Sequence, residues 1–103
     1  MAYKVIFSPT AELRLTEIKT YIAYELLAPY SAKRIMAIIR KTVKLLEAMP
    51  EIGVLSENPC LKNENTHIIH ADKYRIYYSI NKKSKTIHIH TILHHLQNEK
   101  FML

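Results

Sequence analysis

The segment Asp72–Ile80, Asp-Lys-Tyr-Arg-Ile-Tyr-Tyr-Ser-Ile, constrains the fold more than any other part of the sequence. It is rich in aromatic and β-branched residues and has neither glycine nor proline, so it predicts an interior strand over Lys73–Ile80. Because side chains alternate along a strand, one face carries Tyr74, Ile76, Tyr78 and Ile80, and the other carries Arg75, Tyr77 and Ser79. We expect the first face to join a hydrophobic core and the second to be open to solvent.

The residues before this strand predict one short strand and two helices. Tyr3–Phe7 is β-rich, and Ser8-Pro9 supplies an N-cap and a first helical residue. Apolar residues at helical spacing extend the first helix to about Leu27, where we expect Pro29 to stop it; they are Ala11, Leu15, Ile18, Ile22 and Leu26. Ser31 is the expected cap of a second helix that ends at Met49, so the two helices form an αα-hairpin.

The remainder predicts a long loop followed by three strands. Met49–Asn65 holds the only glycine, Gly53, together with two prolines, and is expected to be the loop. The strands are Thr66–His70, Lys73–Ile80 and Thr86–Leu93, and Asn81–Lys85 forms the turn between the last two. The order β-α-α-β-β-β predicts an α+β fold, with the hairpin packed on one face of a largely antiparallel sheet. The length suits a single domain over residues 1–103.

The formal charge of +6 favours anionic partners such as nucleic acid or an acidic protein segment. Cys60 is the only cysteine, so no internal disulfide can form. No apolar run is long enough for a signal peptide or a membrane span, and we expect a cytoplasmic protein with no membrane partner.

Six histidines lie in the last third of the chain. His88 and His90 are two residues apart on the last strand, and alternation places them with Arg75 and Tyr77 on the expected open face. The groups could form a cationic and aromatic site or simply a solvated face. Two imidazoles at this spacing can chelate a metal, but no cysteine or carboxylate spacing completes a ligand set, so neither metal nor cofactor is expected.

Basic and aromatic residues around the loop, sheet and tail could line a nucleic-acid groove, because lysine and arginine neutralise phosphates and aromatic rings stack on unpaired bases. The candidates are Lys62, Lys73, Arg75, Tyr77, His88, His90 and Lys100. Tyr21, Tyr24 and Tyr30, near the turn of the hairpin, suit packing or partner binding better than catalysis.

Four segments together resemble the RelE/ParE superfamily of type II toxins. They are Tyr-Lys-Val-Ile-Phe-Ser-Pro-Thr-Ala-Glu at 3–12, Met-Pro-Glu-Ile-Gly at 49–53, Lys-Tyr-Arg-Ile-Tyr-Tyr at 73–78 and Ile-His-Ile-His-Thr-Ile-Leu-His at 87–94. The resemblance implies a toxin that is neutralised by a cognate antitoxin, a small acidic protein from an adjacent gene, and a complex that represses its own operon. It also implies one of two targets: ParE-like members poison DNA gyrase, whereas RelE-like members cut messenger RNA on the ribosome.

The long, uninterrupted hairpin resembles the ParE-like branch, which we favour slightly. The alternative is a metal-independent ribonuclease, although the second arginine of the family's His-x-Arg-Arg-Asp ending is missing from His94-His95-Leu96-Gln97-Asn98. In that alternative His94 or His95 would be acid or base, with His67, His70 or His88 as its counterpart and Arg75 and Lys62 holding the phosphate. A third hypothesis is an inactive domain that binds only nucleic acid or antitoxin.

Overall fold

The structure is a computed structural model that describes residues 2–62 and 64–97. Its strands are β1 (Lys4–Phe7), β2 (Val54–Leu55), β3 (Thr66–Ala71), β4 (Tyr74–Asn81) and β5 (Thr86–His94). Its helices are α1 (Pro9–Thr20), α2 (Pro29–Ala48) and the one-turn α3 (Pro59–Lys62). A π-helical turn, Tyr21–Glu25, extends α1, and a 3₁₀ turn, Pro50–Ile52, follows α2.

The strands form one sheet in the order β1-β5-β4-β3-β2. β1 runs parallel to β5, and the other pairs are antiparallel. The predicted α+β architecture is confirmed, and β4 is the interior strand that the sequence indicated. Among the described residues, no helix combines the length and the apolar character needed to cross a membrane.

The main core lies between the hairpin and one face of the sheet. The apolar stripe of α2 recurs at helical spacing, with Ile35, Ile39 and Leu46 buried, and it packs on Ile76 and Tyr78 of β4. α1 buries Ala11 and Ile22 in the same core, but Leu26, predicted as part of its stripe, is exposed. The stripe ends early because the π-helical turn, which holds more residues than an α-helical turn, changes the direction of the side chains that follow.

One prediction about the hairpin connection is wrong, and another is incomplete. Pro29 is the first residue of α2 rather than only the end of the preceding helix, and Ser31 lies inside α2 rather than at its cap. A proline at the first helical position has a suitable φ and lacks an N–H that would need a partner. The capping position is Ala28, whose side chain makes no capping hydrogen bond.

The expected long loop contains three short elements, and one of them covers the sheet face that was expected to be open. Leu61 of α3 packs on Tyr77 and Leu93, which are 0% and 1% exposed, and Ile68 lies at the edge of this second, smaller core. The expectation of a solvated second face is therefore wrong around Tyr77. His70 and His88 on the same face are exposed.

Candidate partner-binding cleft

The turn of the hairpin presents large apolar side chains to solvent. We call these five residues the tip surface: Tyr21, Tyr24, Leu26, Leu27 and Tyr30. Leu27 and Tyr30 are 83% and 86% exposed, and Tyr24 is 74% exposed. Exposed apolar residues are ordinary when they are scattered, but a contiguous group of this kind marks an interaction site.

Local backbone structure explains why these side chains point outward. The N–H of Leu26 donates to the carbonyl of Tyr21, and the N–H of Ala28 donates to that of Ile22, so the turn is wider than an α-helical one. Leu27 has a φ of 49°, in the left-handed region that an apolar side chain rarely adopts. Unusual conformations of this kind, like π-helical turns, occur frequently at functional sites.

Beside the tip surface lies a cleft of about 660 Å³, within the usual range for ligand pockets. α1, the π-helical turn and the start of α2 form one side, and the β3–β4 turn and the end of β5 form the other. Buried or half-buried apolar residues that line it include Ile18, Ile22, Ile35, Tyr74 and Ile92. Leu96, 80% exposed, extends the apolar lining beyond β5.

Charged residues surround this apolar floor. Arg14 pairs with Glu17 at 3.2 Å, and Arg34 approaches Asp72 at 3.9 Å. Exposed pairs of this kind contribute at most about 1 kcal/mol to stability, so a partner's carboxylates could replace them at little cost. The Nε of Arg14 is buried and makes no hydrogen bond within the described part of the chain. Lys73 adds a further positive charge to the lining.

His94 lines the cleft, and its contacts determine the charge of its ring and which ring nitrogen carries the proton. Its ring contacts His95 with 4.3 Å between centroids and meets Tyr74 edge-on at 5.3 Å. Burial, His95 and Lys73 lower the pKa of His94, which favours the neutral ring. Because Nδ1 accepts a hydrogen bond from the N–H of Leu96 at 3.3 Å, the proton of the neutral ring lies on Nε2.

The structure brings together only one pair of the predicted catalytic histidines, His94 and His95. His67 stacks on Tyr78, four residues along β4 from Tyr74 and therefore roughly 13 Å away along the strand. His70 and His88 lie on the opposite face of the sheet from His94. None of these three is within proton-transfer distance of His94.

Arg75 is engaged by the chain itself. Its Nη2 donates to the carbonyl of Gln97, and its guanidinium carbon lies 5.7 Å from the centre of the Tyr77 ring. The Nε of Arg75 is buried without a hydrogen bond among the residues described.

The remaining nucleic-acid candidates differ in their surroundings. Lys73 lines the cleft, Lys62 is exposed on α3, and the buried Tyr77 presents no ring on which a base could stack. His90 is half-buried, and its Nε2 lies 2.6 Å from Ser79 Oγ. Lys100 lies outside the described residues.

Sequence reasoning identified the three tyrosines of the tip surface but not the two leucines. One sequence signal could have indicated that these leucines are exposed. Leu26-Leu27 stands directly before Ala28-Pro29, so the pair lies at a helix end, where an apolar side chain need not continue the buried stripe. Arg14 and Arg34 were missed as well, because single charges on helices are ordinary and only the tertiary structure places them on one cleft.

Comparison with known proteins gives a consistent assignment. The model of a family described as the ParE toxin of the type II toxin–antitoxin system parDE matches residues 5–99. No curated protein matches the sequence. Among solved structures, a chain of the chromosomal ParDE system of P. aeruginosa is similar at a TM-score of 0.72 and 20% identity, covering 90% of this chain and 96% of that one. A chain of the RelBE2 toxin–antitoxin complex of Mycobacterium tuberculosis has a TM-score of 0.67 and 20% identity, covering 91% and 99%.

Proposed function

We propose that this chain, which belongs to the family of ParE toxins of type II toxin–antitoxin systems, inhibits growth in the cytoplasm by poisoning DNA gyrase. The observation that carries the proposal is the match of the ParE family model to residues 5–99. The match spans the hairpin, the sheet and the cleft, so it includes every element on which a partner surface is built.

The arrangement of the histidines supports a target that is bound rather than cleaved. Ribonuclease chemistry needs a base to take the 2′-hydroxyl proton and an acid to protonate the leaving oxygen. In the neutral ring of His94 the available lone pair is already occupied by the N–H of Leu96. His67, His70 and His88 are too distant to act with it, and Arg75 binds the backbone at Gln97. Poisoning of gyrase requires only a complementary surface.

The second candidate is the RelE-like ribonuclease, favoured by one observation: His94 and His95 are in ring contact on the border of a cleft that also holds Lys73. Rearrangement of the Leu96 amide would free Nδ1 of His94 for proton transfer. This candidate predicts that replacing both His94 and His95 by alanine abolishes toxicity while antitoxin binding persists.

Expression of the full chain from a tightly controlled promoter separates the two candidates. Growth arrest with a DNA-damage response and intact messages is the result expected from gyrase poisoning. Messages cut within codons, without a damage response, would overturn the gyrase proposal in favour of the ribonuclease. Normal growth would overturn both and leave an inactive domain that only binds its partner.

The partner that we propose for the cleft and the tip surface is a cognate antitoxin with an acidic, apolar segment. Apolar side chains would cover the tip surface, and carboxylates would meet Arg14, Arg34 and Lys73. The proposal predicts that an adjacent reading frame encodes a small acidic protein, and its absence would contradict the antitoxin assignment.

A binding measurement tests where the antitoxin docks. Tyr24→Ala combined with Tyr30→Ala should weaken antitoxin binding at least 10-fold, because exposed tyrosines are frequent anchors of interfaces. The matched control is Leu13→Ala, which removes an apolar side chain that is 56% exposed on α1 but does not line the cleft. Equal affinities of the two variants, measured by titration calorimetry, would place the antitoxin elsewhere.

A further inference from the structure

The positive charge of the chain is concentrated in one half of the molecule. Three elements meet there: the N–H of Lys4 on β1 donates to the carbonyl of Lys85 in the β4–β5 turn, and the N–H of Tyr3 donates to that of Glu47 near the end of α2. Lys82 in the same turn pairs at 2.7 Å with Glu51, which follows α2. We call the exposed cations of this region, together with those on the second half of α2, the basic end; they are Lys4, Arg40, Lys41, Lys44, Lys82, Lys83 and Lys85.

Counting charges shows how uneven the distribution is. The basic end has seven cations and two carboxylates, Glu47 and Glu51. The rest of the described chain has seven cations against six carboxylates, so it is close to neutral. The basic end therefore carries nearly all of the net charge of +6, and its potential exceeds what the overall charge suggests.

The basic end is separate from the cleft. Tyr30 of the tip surface lies at the start of α2, and Arg40, Lys41 and Lys44 follow 10 to 14 residues later, which is roughly 15–21 Å along the helix axis. The β4–β5 turn is also well defined, because Asn81 Oδ1 accepts hydrogen bonds from the N–H groups of Lys83 and Ser84, both at 3.1 Å. The lysines of this turn are thus presented from a fixed backbone.

We propose that the basic end binds the phosphate backbone of duplex DNA. Lysines and arginines spread over three elements suit a ligand whose charges are also spread, and neutralising phosphates releases counterions. A duplex is favoured over a single strand because the one tyrosine at this end, Tyr3, is half-buried against the main core, so the described residues here present no series of exposed rings on which successive unpaired bases could stack. Exposed apolar side chains beside the cations, among them Leu45, Met49 and Ile52, are not aromatic.

DNA binding by the basic end does not depend on whether gyrase is the target, so it can be tested with DNA alone. Fluorescence anisotropy with a labelled duplex of random sequence should detect binding by the full chain at low salt. If about four phosphates are contacted, the affinity should fall about 100-fold between 50 and 200 mM salt. Absence of binding at 50 mM salt would overturn the proposal.

Charge reversal locates the surface. Lys44→Glu with Lys83→Glu should weaken DNA binding at least 10-fold and reduce the slope of affinity against salt, since both side chains belong to the basic end. The control, Lys19→Glu with Lys33→Glu, makes the same change of net charge near the tip surface and should lose less than about threefold, because charges at that distance are screened. All four lysines are exposed, and circular dichroism confirms that each variant is folded.

Two further results would overturn the proposal. An equal loss for the two charge-reversal variants would show that binding follows net charge rather than this surface. Binding of poly-glutamate or of single-stranded DNA that matches or exceeds binding of the duplex would assign the basic end to an acidic polypeptide or to unpaired nucleic acid. Selective loss in the Lys44/Lys83 variant, with preference for the duplex, supports the proposal.

Discussion

Adding one methyl group at Gly53 should disturb the fold. It is the only glycine of the chain, and a Cβ placed there would lie 2.4 Å from Tyr78 Oη and 2.8 Å from the carbonyl oxygen of Ile68. Its φ of −76° and ψ of 167° are accessible to any residue, so glycine is required for space and not for backbone conformation. Gly53→Ala therefore tests steric contact alone.

The expected loss of stability in Gly53→Ala follows from the contacts that the added Cβ would disturb. Tyr78 is fully buried, and its hydroxyl accepts a hydrogen bond from the N–H of Gly53 at 3.0 Å and donates one to the carbonyl of Pro50 at 2.8 Å. Moving this hydroxyl weakens two hydrogen bonds worth about 1 kcal/mol each, and overpacking adds about 1–3 kcal/mol. We expect Gly53→Ala to lower the free energy of unfolding by about 3 kcal/mol, which corresponds to a fall in Tm of about 12–24 °C for a domain of this size.

A double-mutant cycle measured by urea unfolding tests the mechanism. Tyr78→Phe removes the same hydroxyl, so in the double variant the Cβ at position 53 meets less obstruction, and the double loss should be at least about 1 kcal/mol smaller than the sum of the single losses. Additive losses within about 0.5 kcal/mol would refute the contact with Tyr78 as the cause. Tyr30→Phe, which removes a hydroxyl from an exposed tyrosine, should change stability by less than about 0.5 kcal/mol.

Two further outcomes concern the junction of α1 and β5. Ser8 Oγ accepts a hydrogen bond from the N–H of Ala11 at 3.0 Å and donates one to the carbonyl of His90 at 2.7 Å. Ser8→Ala removes both and should lower the free energy of unfolding, measured with urea, by about 2 kcal/mol. Ser8→Asp keeps only the cap and should lower it by about 1 kcal/mol. Equal losses would show that the cap contributes nothing, and an Asp variant as stable as the unchanged chain would show that the bond to His90 contributes nothing. Burial, and then the charge of His88, lower the pKa of His90 below its ordinary 6.5. The contribution of neutral His90 to stability is therefore present above pH 6.5, and it is lost as the pH falls below that value through the pKa of the folded state. His90→Gln should reduce the decline in unfolding free energy between pH 7.5 and 5, and an unchanged decline would contradict this assignment.

The sequence predicted the elements whose signals are local. The aromatic and β-branched run of β4, the Ser8-Pro9 start of α1 and the Asn81–Lys85 turn were identified from neighbouring residues alone, and the order of elements then implied the architecture. The place of Pro29 as the first residue of α2 was missed, because a proline that follows one helix can also begin the next. The short elements within Met49–Asn65 were missed because two to four residues carry no periodicity.

The tip surface and the basic end depend on tertiary structure in different ways. Leu26 and Leu27 are exposed because of the π-helical turn, and no residue pattern in the sequence predicts that turn. The basic end joins Lys4 to residues about 40 and 80 positions later, and only the parallel pairing of β1 with β5 places Lys4 beside the β4–β5 turn. The composition gives the net charge of the chain, but it does not show that the positive charge lies away from the apolar tip surface.

A bulge in β5 determines which histidines can act together. Tyr77 is in register with Thr91 and Tyr78 with Ile89, so His90 is an extra residue that has no opposite partner on β4. Uninterrupted alternation would place His94 on the same face as His88 and His90, whereas the bulge reverses the alternation beyond it. His94 consequently enters the cleft beside the helices while His88 stays on the other face, and Leu93 turns towards Leu61. The same inserted residue therefore closes the second core and separates the histidines that a ribonuclease would need on one surface.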